Sequence, residues 1–456
     1  MIAESRQPPG PRTSISGIFH ALRDPLGFLL EMRERYGDVV MFRRGKFFLV
    51  VNPDGIKHIL QDNHTNYVKG ALYKRATRPL IGDGLLNSDG TAWRSKRRLA
   101  QPAFRQDRHE AFVATIVEQT EILCQKFSNY ASLGARFDLH NELSQHSLRI
   151  VLHLIFGEDA GANTQELIKG FLAADHEMNP ARLFNPINVP EWVPTPSNLR
   201  LRKGLRCLDD LVFAAIRRRR EKHQGADLLS SYVRARDEDT GQALSDLQIR
   251  DEVVTLMAAG HETVSDSMTW ALYLLLSHPA IYGKICSEAI LVLGNKPPEL
   301  SCLAGLCLTT MVFQEAMRLY PSAWGFVRVA LQDDVICGYR VTAGALVMLS
   351  PYVVHRDSQI WERPESFEPE RFLPNEIAQR HRFAWFPFSG GPRLCVGLTL
   401  AMLEAQITLS MLARAVELEL VPGQSVRPLP GLSLKPEGGI WVRARARNES
   451  VTGSLE

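Results

Sequence analysis

Helical patterns fill most of this 456-residue chain up to about residue 320, and strand-like runs cluster after it. Apolar residues recur at helical spacing in the stretches 111–127, 144–155, 201–223 and 247–276. Because helices and strands do not alternate along the chain, the sequence argues against a sheet built from βαβ units. It predicts a mainly α protein with small β-sheets, in the α+β class.

Three regions predict the β part of the protein, at 38–52, 327–350 and 429–445. The first contains two apolar runs, separated by Arg44-Gly45-Lys46, which is typical of a hairpin. The last predicts a closing hairpin between 429–434 and 440–445. No internal repeat and no flexible linker divides the chain.

Charge and cysteine content exclude several classes of protein. The 53 basic and 50 acidic residues give a net charge of +3, which is too balanced for a nucleic-acid binder that relies on bulk charge. Seven thinly spread cysteines do not form a disulfide framework and predict reduced thiols. The sequence shows neither a signal peptide nor an apolar run of bilayer length. We therefore expect a cytoplasmic protein without a membrane span.

One cysteine lies in a segment with its own chemistry, Phe388-x-x-Gly391-x-Arg393-x-Cys395-x-Gly397. A lone cysteine is usually a small buried hydrophobe. Here glycines allow a tight turn before the sulfur, and a long apolar helix follows it. A helix N-terminus and the nearby arginine favour a thiolate, and Gly397 removes side-chain bulk. These features predict a thiolate ligand for iron.

The segment resembles the haem-binding signature of the cytochrome P450 monooxygenases, with Phe388, Gly391, Arg393, Cys395 and Gly397 at its five defining positions. The resemblance implies the cytochrome P450 fold over residues 1–456 as a single domain, with haem b between a long central helix and the helix after the cysteine. It implies that Cys395 is the iron ligand and that Arg393 pairs with a haem propionate. Phe388 and Gly397 are expected to contact the cofactor.

Glu315 and Arg318 are three residues apart, which places them on one helix face. Taken alone, such a pair is usually a surface ion pair of little energetic value. The resemblance makes it the family's Glu-x-x-Arg, completed by Arg371. This triad is expected to be structural, holding the irregular segment at about 360–390 that positions the cysteine loop.

The predicted central helix carries Ala258-Ala259-Gly260-His261-Glu262-Thr263 within an apolar run. A zinc-protease His-Glu-x-x-His helix is excluded because Ser265 stands at the second histidine position. A polar exposed face is an alternative. The run resembles the family's oxygen-activation motif, which implies that Gly260 permits a local helix distortion and that Glu262 and Thr263 relay protons. Ala259 and Gly260 are expected to contact the cofactor.

Further propionate partners are implied at Trp93, Arg97 and Arg328, although a basic helix start and a strand arginine are common features. By the same resemblance the substrate walls are the loop at 69–84, the region 167–184, positions 257–259, residues 322–326 and a hairpin tip near Leu432. The expected substrate contacts are Met257, Trp324, Phe326 and Leu432, which suggests a small, largely apolar substrate. A tryptophan at such a place is equally typical of a core.

The resemblance implies a monomeric monooxygenase that uses dioxygen on a small organic molecule, as in secondary metabolism. The alternatives are oxidative C–C or C–N coupling or cyclisation without oxygen insertion, and a non-catalytic haem sensor. Because the chain after Cys395 is too short for a fused flavin reductase, we expect a separate ferredoxin or flavodoxin with its reductase. Candidate docking charges for that donor are Lys96, Arg97 and Arg98.

Overall fold

A computed structural model describes residues 6–11, 15–177, 192–222, 225, 227–236 and 241–447. Helices dominate this part of the chain, as the apolar spacing predicts. They lie at Ile15–Arg23, Pro25–Tyr36, Pro53–Lys57, Gly70–Ile81, Gly90–Ala100, His109–Leu133, Leu139–Phe156, Glu158–His176, Pro196–Lys222, Leu228–Arg234, Asp246–Ser277, Pro279–Leu293, Cys307–Leu319, Pro351–Val354, Pro374–Gln379 and Leu398–Ala415.

The strands are short and lie mostly where the sequence predicts them. They are β1 Val39–Phe42, β2 Phe47–Val50, β3 Tyr67–Val68, β4 Arg136–Asp138, β5 Phe326–Ala330, β6 Asp334–Ile336, β7 Tyr339–Val341, β8 Leu346–Leu349, β9 Val416–Leu420, β10 Pro428–Pro430, β11 Leu434–Pro436 and β12 Trp441–Ala446. The sequence missed β3, β4 and β9. β3 and β4 have two and three residues, too few to show an alternating pattern, and β9 directly follows the helix Leu398–Ala415.

The helix Asp246–Ser277, here called the central helix, organises the molecule. Its 32 residues give it a length of roughly 48 Å. It begins at a capping box in which the Gln248 amide donates to Ser245 Oγ at 3.2 Å and the Ser245 amide donates to Gln248 Oε1 at 2.8 Å. Most of its residues are buried, since apolar clusters pack along it on both sides. None of the described helices has the length and apolar content that a bilayer span requires.

A five-stranded sheet lies beside the helical part, in the order β1-β2-β8-β5-β3. The predicted first hairpin is confirmed, with β1 and β2 antiparallel and Val39 opposite Val50. β8 then pairs parallel to β2 and antiparallel to β5. This sheet and the helix Pro25–Tyr36 enclose an apolar core of their own.

The predicted closing hairpin is wrong in its pairing. β10 pairs with β11, whereas β12 lies between β4 and β9 in a separate three-stranded sheet. Gly438 and Gly439 have φ values of +73° and +78° and turn the chain out of β11. The Ile440 amide then donates to Asp138 Oδ1 at 3.1 Å. The sequence did not reveal this pairing because β4 lies about 300 residues upstream of β12.

Candidate functional site

The loop that carries Cys395 is held by backbone contacts. It passes through a short helical turn at Gly391–Arg393 and enters the helix Leu398–Ala415, here called the Cys-loop helix. The Cys395 amide donates to the Phe388 carbonyl at 3.0 Å. Gly391 has φ +61°, and a Cβ on it would lie 2.1 Å from the Leu60 carbonyl oxygen. Only glycine fits there, because the loop rests directly on another backbone segment.

The Cys395 thiol faces a large cavity. Burial raises its pKa above the ordinary value, while the backbone amide of Gly397 and the Arg97 guanidinium oppose that rise. Arg97 is fixed beside it, because its Nη1 donates to the Leu394 carbonyl at 2.8 Å. Both of these groups favour the thiolate form, although the effect of burial is larger. A metal cation at the sulfur would supply the missing stabilisation.

The cavity has a volume of about 1940 Å³, which exceeds the few hundred to 1,000 Å³ typical of a pocket for one small ligand. The central helix and the Cys-loop helix both contribute to its walls, together with the start of β5 and the turn between β10 and β11. Its size allows a large cofactor and a substrate side by side.

Four cationic side chains line the cavity near the cysteine loop, Lys69, Arg97, Arg328 and Arg393. Burial and the charge of Arg393 lower the pKa of Arg328 to about 10. Burial and the charge of Arg328 lower the pKa of Lys69 well below its ordinary value. Positively charged side chains this close to one another favour the binding of an anion, since each of them stabilises a negative charge placed nearby.

The residues present fit a haem. A Cβ at Gly397 would lie 4.0 Å from the Cys395 sulfur, so the missing side chain leaves open space beside the ligand atom. These four cations suit the two propionates, and Trp93 and Phe388 add aromatic rings to the cavity wall. An apolar surround, a thiol and clustered arginines are the environment that a thiolate-bound haem requires.

Arg393 is already paired within the protein. Its Nη2 lies 2.7 Å from Asp89 Oδ1, its Nη1 donates to the Ser88 carbonyl at 3.2 Å, and its guanidinium stacks 4.6 Å from the Trp93 ring. Asp89 also binds Lys74 at 2.9 Å. Sequence reasoning missed Lys69 as a binding residue and Asp89 altogether. Neither belongs to a recognisable motif, although Asp89 precedes the helix that carries Trp93 and Arg97.

The central helix presents the predicted oxygen-activation residues to the same cavity, which is lined by Ala259, Gly260, Glu262 and Thr263. Thr263 Oγ1 donates back to the Ala259 carbonyl at 2.8 Å. The helix continues through Gly260 without a break, so the expected distortion does not interrupt it. A Cβ at Gly260 would lie 3.0 Å from Val151 Cγ2, which gives this glycine a packing role.

His261 lies away from the cavity. Its ring is 1% exposed and pairs with Ser144 Oγ at 2.8 Å. Burial lowers its pKa to about 4, so the ring is neutral at physiological pH.

Three of the four expected substrate residues line the cavity, Trp324, Phe326 and Leu432. Trp324 Nε1 donates to the Gly431 carbonyl at 2.9 Å, which ties the turn carrying Leu432 to the wall. The prediction for Met257 is wrong, because its side chain is fully buried in the apolar core. It lies two positions before Ala259, or about 200° around the helix from the cavity face.

Two of the expected substrate walls also differ from the prediction. The segment 69–84 is mainly the helix Gly70–Ile81 rather than a loop, and Tyr73, Thr77 and Leu80 line the cavity from it. From the described part of 167–184, Asp175 lines the cavity. Leu167 and Phe171 are instead buried in the core. Residues 178–184 lie outside the described residues.

The Glu315–Arg318–Arg371 triad is assembled and buried. Arg318 Nε and Nη2 donate to the two Glu315 oxygens at 2.7 and 2.8 Å, and both side chains are fully buried. Arg371 Nε lies 3.5 Å from Glu315 Oε1, while its Nη2 binds Glu368 at 2.7 Å. The alternative of a surface ion pair is therefore wrong. Arg371 interacts with two carboxylates, those of Glu315 and Glu368.

The candidate docking charges for an electron donor are only partly exposed. Lys96 binds Glu252 at 2.9 Å and is 16% exposed, and Arg97 lines the cavity. Arg98 is exposed. Two of the three predicted docking charges, Lys96 and Arg97, thus contact groups within the protein. The sequence did not show this because Glu252 lies on the distant central helix.

Comparison with known proteins matches nearly the whole chain to one protein family. The family model described as cytochrome P450 matches residues 8–442. Cyclooctatin synthase of Streptomyces melanosporofaciens is 33% identical over 422 residues, covering 91% of this chain and 91% of that protein. Pentalenene oxygenase of Streptomyces avermitilis is 32% identical over 446 residues, covering 96% and 97%.

Two further comparisons agree. Cyclooctat-9-en-7-ol 5-monooxygenase of Streptomyces melanosporofaciens is 30% identical over 407 residues, covering 89% of this chain and 87% of that protein. The crystal structure of the cytochrome P450DA heme domain superposes with a TM-score of 0.87 at 24% identity, covering 98% of both chains. The structural likeness establishes the fold.

Proposed function

The chain belongs to the cytochrome P450 family, and on that premise we propose that it oxygenates a largely apolar substrate of the terpene class in secondary metabolism. As a cytochrome P450 monooxygenase it uses haem iron, dioxygen, an organic substrate and electrons from a redox partner. The proposal for the substrate is supported by the names of the Streptomyces relatives. Apolar cavity walls that include Trp324, Phe326 and Leu432 also support it.

The cofactor in this proposal is haem b, with Cys395 as iron ligand. Trp93, Arg97, Arg328 and Arg393 would hold the propionates, together with Lys69. A thiolate-bound haem supplies the activation of dioxygen and the insertion of one oxygen atom. The observation that carries this assignment is that Cys395 and the pair Glu262 and Thr263 face one cavity.

The protein's own residues orient the substrate and move protons. Trp324, Phe326 and Leu432 hold an apolar molecule and exclude water from it. Thr263, whose hydroxyl donates to the Ala259 carbonyl at 2.8 Å, offers its oxygen as an acceptor inside the cavity, and it donates there only when the bond to Ala259 is released. Glu262 passes protons to this position.

Replacing Cys395 with serine tests the ligand assignment. Because a serine hydroxyl stays protonated and binds iron far less strongly than a thiolate, we expect the reduced carbon monoxide complex of Cys395→Ser to lose the thiolate-type Soret band. Cys337→Ser is a matched control, since that cysteine lies in the turn between β6 and β7. A band identical to that of the wild type in Cys395→Ser would contradict the assignment.

Substrate screening separates the remaining alternatives. We expect pentalenene and similar apolar hydrocarbons to shift the Soret band and charged compounds of equal size not to do so, because the expected substrate side chains are apolar. Product mass under labelled dioxygen then distinguishes oxygen insertion from coupling or cyclisation. A haem sensor would give no product with a surrogate redox partner, and its cavity would need no acid beside Thr263.

The electron donor in this proposal is a separate ferredoxin or flavodoxin with its reductase, and the enzyme is a monomer. We also propose a reducing, cytoplasmic setting, which the seven free cysteines support. Turnover with each purified donor in turn identifies the partner. Gel filtration at two protein concentrations checks the monomer.

A further inference from the structure

Two serine hydroxyls meet in the wall of the cavity, one from the central helix and one from the segment before β5. Ser267 and Ser322 both line the cavity, and little of either side chain is exposed. Their Oγ atoms lie 2.7 Å apart. Each is also within hydrogen-bond distance of the Thr263 carbonyl oxygen, at 2.8 Å from Ser267 and 2.9 Å from Ser322. The three oxygen atoms therefore form a triangle of short contacts.

This triangle has fewer hydrogens than contacts. Each hydroxyl has one hydrogen and two acceptor positions, so the hydrogens cannot fill all the contacts. In an unbroken helix the Thr263 carbonyl also accepts the amide of Ser267, which leaves one acceptor position on that oxygen for a hydroxyl. One serine then donates to the carbonyl and the other donates to its fellow serine. Both hydrogens of the pair are used, whereas most of its acceptor positions have no donor among the described residues.

We propose that Ser267 and Ser322 bind a hydroxyl group of the substrate, so that the protein acts on an apolar molecule that already carries an alcohol. The alcohol is bound in the same site as in the proposed function, on which this assignment rests. An alcohol brings the O–H hydrogen that the serine pair lacks, and it donates that hydrogen to an empty acceptor position. A hydrocarbon brings no hydrogen-bonding group, and an ether or a ketone brings only a further acceptor.

The serine pair lies between the expected relay residues and the apolar walls. Ser267 follows Thr263 by one turn of the central helix, and Ser322 precedes Trp324 by two residues. The Ser322 carbonyl accepts the Leu434 amide at 2.9 Å, which joins it to the turn between β10 and β11. Apolar walls therefore surround the carbon skeleton of the alcohol while the serines hold its oxygen. One polar anchor in such a site fixes the orientation of the molecule, because a buried hydroxyl without a partner is costly.

Three probes that share one carbon skeleton test this assignment in the haem-loaded protein. Cedrane is a hydrocarbon, cedrol carries a hydroxyl on the same skeleton, and cedryl methyl ether keeps the oxygen without its hydrogen. Soret titrations give the dissociation constants of all three for the wild type and for Ser267→Ala/Ser322→Ala. Comparing the ratio of the cedrol and cedrane constants between the two proteins cancels the different hydration of the probes.

The double variant is expected to lose a preference for cedrol over cedrane of roughly three- to tenfold, which is the effect of one hydrogen bond. The methyl ether should show no such change between the two proteins. An equal cedrol-to-cedrane ratio in both proteins, or an ether that behaves like cedrol, would overturn the assignment and leave the proposed function standing. If none of the probes shifted the Soret band of either protein, the apolar substrate of the proposed function would fail as well.

Ser277→Ala is the matched control for the loss of a serine hydroxyl. Ser277 lies on the same helix and is exposed, and its Oγ donates back to the Tyr273 carbonyl at 2.8 Å, so its removal should leave the cedrol-to-cedrane ratio at the wild-type value. The products formed from cedrol with a surrogate ferredoxin and reductase give a second measurement. The double variant should spread oxidation over more carbon positions than the wild type, because the alcohol is no longer anchored. Identical product distributions would contradict the anchor.

Discussion

Arg318 is the point at which one substitution tests the link between the fold and the cysteine loop. All five of its N–H groups are used. Nε and Nη2 donate to Glu315, and the other three bonds reach the carbonyls of His355, Pro364 and Ser366 at 2.8, 2.6 and 2.9 Å. Arg318→Lys keeps the charge and removes the planar fork.

The cost of this substitution follows from counting acceptors. A lysine ammonium has three N–H donors, so at least two of the five bonds are lost, in surroundings that are partly to fully buried. An unsatisfied buried polar group costs ~1–3 kcal/mol. Two such groups predict that Arg318→Lys lowers the free energy of unfolding by about 2–6 kcal/mol.

The same substitution should loosen the cofactor site. His355, whose carbonyl binds Arg318, also accepts the Phe386 amide at 3.1 Å through its ring. Burial lowers the pKa of His355 well below its ordinary value, which keeps the ring neutral and able to accept. Phe386 in turn accepts the Ser389 amide at 3.0 Å at the start of the cysteine loop. We therefore expect a lower haem content as well.

Urea unfolding followed by circular dichroism, together with haem content per chain, checks this prediction. Arg35→Lys is the matched control, because Arg35 is 65% exposed and forms a surface pair with Glu31. It is expected to change stability by less than about 0.5 kcal/mol. If Arg318→Lys were as stable as Arg35→Lys and bound haem fully, the donor-counting argument would be refuted.

Three further predictions address the site. Thr263→Ala should raise the share of electrons released as hydrogen peroxide, because the hydroxyl beside Glu262 is lost; unchanged coupling of electron use to product contradicts the relay. Gly391→Ala should yield little haem-loaded protein, since its Cβ would collide with the Leu60 carbonyl; normal haem content contradicts this. A rise in the pKa of Glu404 from 4.5 to about 8 means that the folded state binds its proton more tightly, so stability falls as pH rises through this window, by ~5 kcal/mol in total. Urea midpoints of Glu404→Gln across this window should lack that part of the fall, and parallel curves for the two proteins would refute it.

The sequence alone determined the class of the fold and the chemistry of the cysteine loop. Residues whose role depends on nearby sequence could be recognised from the sequence, because a turn, a helix start and a helix face are local structures. Thus the segment Phe388–Gly397 and the spacing of Glu315 and Arg318 were found without coordinates. The central helix was likewise predicted from the sequence, since its apolar residues recur at helical spacing over many turns.

Only the tertiary structure decided which side chains meet from distant segments. Asp89 binds Arg393, and Lys69 joins the cation group, through contacts that no local pattern encodes. The orientation of Met257 depends on how the central helix is rotated against its neighbours, and the partners of β12 depend on a strand far upstream. The physical reason is that packing, rather than local propensity, fixes helix rotation and strand pairing.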